Sequence, residues 1–178
     1  MKQYILSYGM LLASLTTAAQ AQQTTWPWLR LNDTWKFSGG DNIEWSLPKF
    51  DDSKWAELKS TDFWEAQGYY ELEGFAWYRQ QIVVPKAWKK SVERQGGLYL
   101  SYDNADDADE AFFNGVSVGK TGDFPPNYEG KNGFWRKYFI PAKLIKYDKP
   151  NTVALRIYDG GGQGGIACDG KTDGERGR

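Results

Sequence analysis

The sequence predicts an all-β fold, a sandwich of antiparallel sheets. Three observations support this: short segments of alternating apolar and polar residues recur, glycines and prolines separate them, and no long amphipathic helical pattern occurs. The strongest local signal spans residues 98–119, a strand, an acidic turn, a second strand, an Asn114-Gly115 turn and a third short strand. Asn followed by Gly tolerates the positive φ angles of a type I′ turn, which predicts an antiparallel hairpin.

Each segment with period-two alternation is predicted to be a strand. The main segments are residues 34–38, 75–84, 98–102, 134–140 and 152–158. In the third of them, Leu98, Leu100 and Tyr102 share one face, because successive side chains of a strand point to opposite sides. Pro85 and Pro141 close two of the segments, since proline has no N–H to donate to a neighbouring strand.

The chain divides into three segments by composition. Residues 1–21 have a basic start, an apolar run over residues 5–15 and Ala19-Gln20-Ala21, which is the pattern of a secretory signal peptide. The apolar run is too short for a membrane span, so we expect export to a periplasm or outside the cell. About 160 residues remain, enough for one domain, which we place at residues 22–166. The polar residues 167–178 lack strand character and are expected to mark a truncation point in a longer protein.

Composition excludes several classes of function. The formal net charge is −1 with a sequence pI of about 5.6 and no basic stripe, which argues against nucleic-acid binding. The chain has no histidine, which excludes a Ser-His-Asp or Cys-His nucleophile and any imidazole metal site within it. Cys168 is the single cysteine, so no internal disulfide forms. Carboxylates are abundant, but nothing in the sequence places two of them at catalytic spacing, and we assign no catalytic residue.

An ordered set of short stretches supports a family resemblance. They are Trp35-Lys36-Phe37 and residues 50–55, 63–69, 74–79, 106–119 and 151–166. In this order and spacing they resemble the jelly-roll, galactose-binding-like domain that precedes the catalytic domain in family-two glycoside hydrolases, a domain type also found in sialate O-acetylesterase-like proteins. The resemblance implies a jelly-roll β-sandwich, galactose-binding-domain-like, with a carbohydrate-related role and a catalytic domain following in the full-length protein.

Aromatic and acidic residues in predicted loops are the candidate carbohydrate contacts. Sugar rings pack their C–H faces on flat aromatic rings while polar groups bind the hydroxyls. The candidates are Trp64, Glu65, Tyr69, Asp123, Tyr128, Trp135 and Asp159. Asp123 enters through the resemblance, because in the family an aspartate from the loop after the Asn-Gly hairpin reaches the neighbouring catalytic pocket.

The alternative for each aromatic residue is packing in the core or against another domain. Trp35, Trp55 and Trp77 adjoin strand or turn signals and are expected in the core. Trp64 and Trp135 are expected at the surface. Carbohydrate contact and packing therefore both stay open for the aromatic candidates.

The acidic run before the second strand is a candidate Ca²⁺ site, with Asp103, Asp106 and Asp109 as ligands. A Ca²⁺ site is common in the wider galactose-binding-like group. The run lacks the EF-hand pattern, because Ala108 stands at the sixth position, where that loop needs glycine. The alternative is a solvated acidic turn in which Asp106 or Asp109 accepts backbone N–H groups. We expect no other cofactor.

Two more features have structural interpretations. Arg79 lies on a predicted strand, where a partly buried guanidinium needs a carboxylate or carbonyl partner, and we expect a structural ion pair. The glycines of residues 160–165 are not a phosphate loop, since no GK[ST] follows. They are expected to let the backbone approach a ligand or another domain closely.

The leading hypothesis is a non-catalytic N-terminal domain of a secreted, β-galactosidase-type glycoside hydrolase. This domain would shape the active site and contact carbohydrate. The alternatives are a free-standing carbohydrate-binding module and the accessory domain of a sialate O-acetylesterase. An enzyme acting alone is disfavoured by the missing histidine and the short chain.

Overall fold

A computed structural model describes residue 29, residues 31–102 and residues 104–167; the expected signal peptide and the polar tail after residue 167 lie outside this part. The described part contains one short α-helix, α1 (Lys89–Gln95), and a set of strands in this order: β1 (Thr34–Gly39), β2 (Ala56–Lys59), β3 (Gly74–Val83), β4 (Gly97–Tyr102), β5 (Asn104–Ala105), β6 (Ala108–Phe113), β7 (Val116–Thr121), β8 (Arg136–Pro141), β9 (Pro150–Asp159) and β10 (Ile166–Ala167). Within these residues, no helix has the length and apolar character needed to cross a membrane.

The strands form a jelly-roll β-sandwich, which confirms the predicted all-β class. One antiparallel sheet has the order β2-β1-β3-β9-β6-β7, and β4 pairs with β8 and β5 with β10 in two smaller sheets. β3 and β9 pair over ten residues, from Gly74 opposite Asp159 to Val83 opposite Pro150. We call the end where β3 begins and β9 ends the loop end. The opposite end, which carries the Asn114-Gly115 turn, is the hairpin end.

The main core lies between the six-stranded sheet and the β4–β8 pair, and it contains Phe37 and Tyr78 from one side and Leu100 from the other. The predicted inward face of β4 is confirmed: Leu100 and Tyr102 are buried, whereas Tyr99 is 62% exposed. Alternation along the strands thus decides which side chains enter the core.

A second apolar cluster covers the other face of the six-stranded sheet. Trp77, Phe112 and Ala154 are buried there, and Trp45 and Trp55 pack against them. Trp77 and Phe112 stack with their ring centroids 5.5 Å apart. The expected core placement is confirmed for Trp77 and also for Trp35, while Trp55 is half-buried.

The predicted hairpin turn is confirmed by its backbone angles. Asn114 has φ 52° and Gly115 has φ 84°, the two positive values that a type I′ turn requires. The Asn114 side chain donates to the carbonyl of Leu144 and to Oδ1 of Asn151, each at 2.8 Å, and it accepts the N–H of Thr152 at 3.0 Å. One side chain therefore ties the turn to two neighbouring segments.

The expected ion pair of Arg79 is confirmed. Its side chain is fully buried, and Nε donates to Oδ2 of Asp52 at 2.8 Å. The guanidinium also donates to the backbone carbonyls of Trp45 and Leu47 and lies over the ring of Phe50. These contacts attach the segment between β1 and β2 to the outer face of β3.

Candidate functional site

The candidate site lies at the loop end, where acidic residues distant in sequence meet. β6 pairs antiparallel with β9, with Ala108 opposite Tyr158. One step further along this register, Asp107 comes beside Asp159, and Asp106 precedes Asp107. One carboxylate oxygen from each of Asp106, Asp107 and Asp159 lies within 4.8 Å of the other two. We call these three residues the carboxylate cluster.

Each carboxylate of the cluster accepts one hydrogen bond from a loop. The N–H of Gly160 donates to Oδ2 of Asp107 at 2.8 Å, and the N–H of Gly161 donates to Oδ1 of Asp159 at 2.7 Å. The side-chain amide of Asn132 donates to Oδ1 of Asp106 at 3.2 Å. The Oδ2 atoms of Asp106 and Asp159 are buried and have no hydrogen-bond partner among the described residues. Asp106 is 5% exposed and Asp159 is 1% exposed. Two buried acceptor atoms therefore remain without a donor, a costly arrangement for an ionised carboxylate.

Burial and neighbouring charge shift the titration of this cluster. Burial raises the pKa of Asp106 to about 8, and contact with Asp159 and the charge of Asp107 raise it in the same direction. At the half-exposed side, the hydroxyl of Tyr128 is hydrogen-bonded to Asp107, which is the main reason that the pKa of Tyr128 rises to about 12. The cluster therefore favours the uptake of positive charge, as a proton or as a cation.

The glycine-rich segment 160–165 lies against a tryptophan of the same domain. A Cβ atom on Gly164 would lie 1.9 Å from Cζ2 of Trp64, so a side chain there has no room. The N–H of Trp64 donates to the carbonyl of Gly164 at 3.0 Å, and the N–H of Gly164 donates to the carboxylate of Glu65 at 3.1 Å. The glycine segment does approach a neighbour closely, as predicted, but that neighbour is Trp64 of the same domain.

The expectation that Trp64 presents its ring at the surface is wrong. Its side chain is fully buried, because segment 160–165 covers one side and Phe37 packs on the core side, with the two ring centroids 5.9 Å apart. Tyr69 also packs inward, with its ring centroid 4.8 Å from that of Phe37, and is half-buried. The Trp64 ring therefore presents no open flat face for stacking on a sugar, whereas carbohydrate contact by Tyr69 stays a prediction.

The other carbohydrate candidates gather around the loop end. Glu65 contacts segment 160–165, Asp159 belongs to the carboxylate cluster, and Tyr128 is 45% exposed beside Tyr158. Trp135, also 45% exposed, directly precedes β8 at the same end. Carbohydrate contact by these residues stays a prediction.

Asp123 stands at the base of the loop that carries Tyr128. The backbone of Asp123 exchanges two 3.0 Å hydrogen bonds with Glu129, which closes the loop into a small hairpin. The carboxylate of Asp123 pairs with Lys120 at 2.6 Å on the partly exposed side. Its expected reach into a neighbouring catalytic pocket stays a prediction.

The residues expected to form a Ca²⁺ site do not all face one point. Asp109 is fully buried, and both of its oxygens are occupied: Arg136 Nε donates to Oδ1 at 2.6 Å, and the hydroxyls of Tyr102 and Tyr138 donate to Oδ2 at 2.5 and 2.7 Å. These contacts leave Asp109 no free oxygen for a metal. Asp103 lies outside the described residues. Of the two expected ligands that the structure describes, Asp106 joins the carboxylate cluster and Asp109 does not.

Asp107 is the cluster residue that the sequence-based selection missed. Asp107 lies within the acidic run, but the sequence does not show which aspartate of that run faces Asp159, which is 52 positions later. The deciding information is the pairing of β6 with β9. The sequence suggests Asp159 as a carbohydrate contact and does not connect it with the acidic run.

The fold defines a class of protein: a β-sandwich domain of the type associated with family-two glycoside hydrolases. The β-glucuronidase of Bacteroides uniformis is similar over 76% of this chain, with a TM-score of 0.59 and 27% identity. A glycosyl hydrolase family 2 member from Bacteroides cellulosilyticus covers 75% with a TM-score of 0.57 and 17% identity, which shows the fold alone.

Those two alignments take up 16% and 19% of the respective enzymes, so this chain spans under a fifth of the length of each. No protein-family model matches the sequence, and no curated protein matches it.

Proposed function

We propose that this chain is the non-catalytic N-terminal β-sandwich domain of an exported glycan-degrading enzyme of the family-two glycoside hydrolase type. The observation that carries the proposal is the alignment of 76% of this chain with only 16% of the Bacteroides uniformis β-glucuronidase. A catalytic domain would follow in the same full-length protein. The sequence resemblance indicates a β-galactosidase-type enzyme and this similar structure is a β-glucuronidase, so the substrate class that we propose is a β-linked glycoside.

The loop end is the face that we assign to the active site. It combines exposed aromatic rings, Tyr128 and Trp135, with the carboxylates of Glu65 and Asp123. Rings and carboxylates side by side suit a surface that contacts sugar, because the rings pack on C–H faces while the carboxylates accept from hydroxyls.

The test uses the full-length enzyme and the substitution Asp123→Asn. If Asp123 contacts the substrate in the catalytic pocket, kcat/KM for an aryl β-glycoside falls by about tenfold or more, since a lost charged hydrogen bond to substrate costs about 1.4 kcal/mol or more. Lys120→Met, which removes the partner of Asp123 but keeps its carboxylate, serves as one control. Glu93→Gln on α1, at the hairpin end, is the second. Equal kcat/KM in all three variants contradicts the assignment of the loop end.

The accessory role has a separate test with the chain by itself. Incubated with nitrophenyl β-glycosides and acetyl esters, the purified chain is expected to show no turnover above the buffer rate. Turnover of either substrate would contradict the non-catalytic role. Turnover of acetyl esters by the full-length protein would favour the esterase alternative.

A free-standing carbohydrate-binding module is the second candidate function, and the exposed aromatic residues favour it. Phe134 is 59% exposed, and Trp135 and Tyr128 are each 45% exposed, in one loop region. Affinity gels containing soluble glycans test it, with Trp135→Ala as the variant that should lose retention. No retention of the unmodified chain on any glycan contradicts the module.

Export is part of the proposal and rests on the signal pattern of residues 1–21. The expected mature protein begins at Gln22, after cleavage behind Ala21. Amino-terminal sequencing of protein recovered from the periplasm or culture medium checks this. A start at Met1 in the exported fraction contradicts it.

A further inference from the structure

The carboxylate cluster contains two buried oxygen atoms that the rest of the described structure does not satisfy. Oδ2 of Asp106 and Oδ2 of Asp159 have no donor, although these side chains are 95–99% buried and in contact with each other. Buried polar atoms in folded proteins nearly always have a partner, and an orphaned pair points to a missing water or ion. Asp107 closes the third side, with its ligand oxygen in the same 4.8 Å group.

We propose that Asp106, Asp107 and Asp159 together bind one Ca²⁺ ion. Of these three residues, the sequence predicts only Asp106 as a Ca²⁺ ligand, while it suggests Asp159 as a carbohydrate contact. The site goes beyond the proposed carbohydrate-related role, since it requires neither sugar nor a catalytic domain.

Among the described residues, the nearby basic side chains do not neutralise the cluster. Arg136 approaches it by donating to the backbone carbonyl of Asp106 at 3.1 Å, but the Nε of Arg136 is committed to Asp109 at 2.6 Å. Lys131, in the adjacent loop, forms its ion pair with Glu129. Three carboxylates therefore share a small, largely buried volume while the basic groups beside it serve other acids. A divalent cation would compensate this charge.

The chemistry of the donor set favours Ca²⁺ over other metals. Hard oxygen ligands without histidine or thiolate exclude the usual zinc and copper chemistry. Ca²⁺ forms bonds of about 2.3–2.6 Å, so oxygens up to roughly 5 Å apart reach one ion, which accommodates the 4.8 Å group. Mg²⁺ demands near-ideal octahedral geometry at about 2.0–2.1 Å and usually keeps several of its waters, so it is less suited to a set of three buried or half-buried carboxylates. The half-exposed side at Asp107 leaves room for water ligands.

The ion would organise the glycine segment 160–165. Asp107 already accepts a hydrogen bond from the N–H of Gly160 at 2.8 Å, and Asp159 accepts one from the N–H of Gly161 at 2.7 Å. An ion bound to their remaining oxygens would fix both carboxylates, and through them the segment that covers Trp64. Calcium binding is thus expected to stabilise the loop end.

Calorimetric titration of chelator-treated chain with CaCl2 tests the site. We expect one ion per chain, and a Tm about 5 °C or more higher in saturating CaCl2 than in EDTA, as for a ligand well above its Kd. MgCl2 is expected to give a much smaller shift. No heat of binding together with an unchanged Tm would overturn the proposal and would mean that Asp106 and Asp159 share a proton instead. Equal Tm shifts with CaCl2 and MgCl2 would also overturn it.

Variants separate a ligand role from a structural one. Asp159→Asn keeps an acceptor for Gly161 but removes the charge, so calcium affinity should fall at least tenfold and the calcium-dependent Tm shift should disappear, while the Tm in EDTA is unchanged or higher. Asp123→Asn, the same exchange in the neighbouring loop, should bind like the unmodified chain. If Asp159→Asn does not fold, Asp107→Asn at the half-exposed position replaces it. Unchanged affinity in a folded cluster variant would overturn the assignment.

Discussion

At the scale of single residues, the loop end depends on buried charges that are fully paired in one place and unpaired in another. Asp109 receives three donors, from Arg136, Tyr102 and Tyr138, and both members of its ion pair are fully buried. Asp106, three positions before Asp109, and Asp159 each keep an acceptor oxygen without a donor among the described residues. The first arrangement stabilises the sandwich, and the second is suited to a ligand.

The substitution Asp109→Asn is expected to destabilise the protein strongly. It leaves the buried guanidinium of Arg136 without its countercharge, which typically costs about 3–5 kcal/mol of unfolding free energy. Urea denaturation measures this cost. Glu57→Gln, which breaks the exposed pair with Lys36 at 2.9 Å, is the control and should cost less than about 1 kcal/mol. Equal costs for both variants would contradict a structural role for the buried pair.

Gly164→Ala tests the packing of segment 160–165 on Trp64. The added methyl group would overlap the indole ring at 1.9 Å, so either the segment or the ring must move, at an expected cost of about 3 kcal/mol. Gly162→Ala is the matched control: Gly162 has φ 117° but open space around it, and only backbone strain of about 1–2 kcal/mol is expected. Urea midpoints measure both. A Gly164→Ala variant as stable as the unmodified chain would show that Trp64 is not tightly covered.

At the scale of elements, the long strands follow from the sequence and the short ones do not. β3, β4 and β9 match the predicted segments; β4 alternates in burial, whereas β3 and β9 are buried on both faces over most of their length. β2 has four residues and α1 has one buried residue, Val92, in seven, so neither contains enough residues to show a period. β2 is a strand because β1 pairs with it, and α1 ends at Gly96, whose φ of 84° suits a helix C-cap.

The hairpin between β6 and β7 is expected to depend on Asn114 for two separable reasons. Asn114→Gly keeps the positive φ but removes the hydrogen bonds to Leu144, Asn151 and Thr152, at an expected cost of about 1–3 kcal/mol. Asn114→Ala also introduces strain at φ 52°, adding about 1 kcal/mol or more. Thermal or urea unfolding of the two variants gives the difference. An alanine variant as stable as the glycine variant would contradict the positive-φ argument.

At the scale of the whole molecule, the six-stranded sheet is covered on both faces. The main core contains Trp35 and Trp64, and the second cluster contains Trp77, with a single sheet between them. Because each face needs the same strands, neither cluster can form without the sheet. This argues for one cooperative unit.

The chain is therefore expected to unfold in a single transition. Tryptophan fluorescence, which reports on both clusters, and far-ultraviolet circular dichroism, which reports on the sheet, should give coincident urea curves. Phe112→Ala in the second cluster should shift both curves together, by about 3–5 kcal/mol. Two separated transitions would contradict a single domain over the described residues.

The sequence by itself determined the all-β class, the major strands, the Asn114-Gly115 turn and the paired state of Arg79. These depend on local geometry, namely side-chain alternation, turn angles and the cost of an unpaired buried charge, which neighbouring residues reveal. Only the tertiary structure decided that Trp64 is buried, that Asp109 binds Arg136, and that Asp107 meets Asp159. Each of those outcomes depends on which strands and loops lie side by side, and contacts between segments tens of residues apart are set by the packing of the whole sandwich.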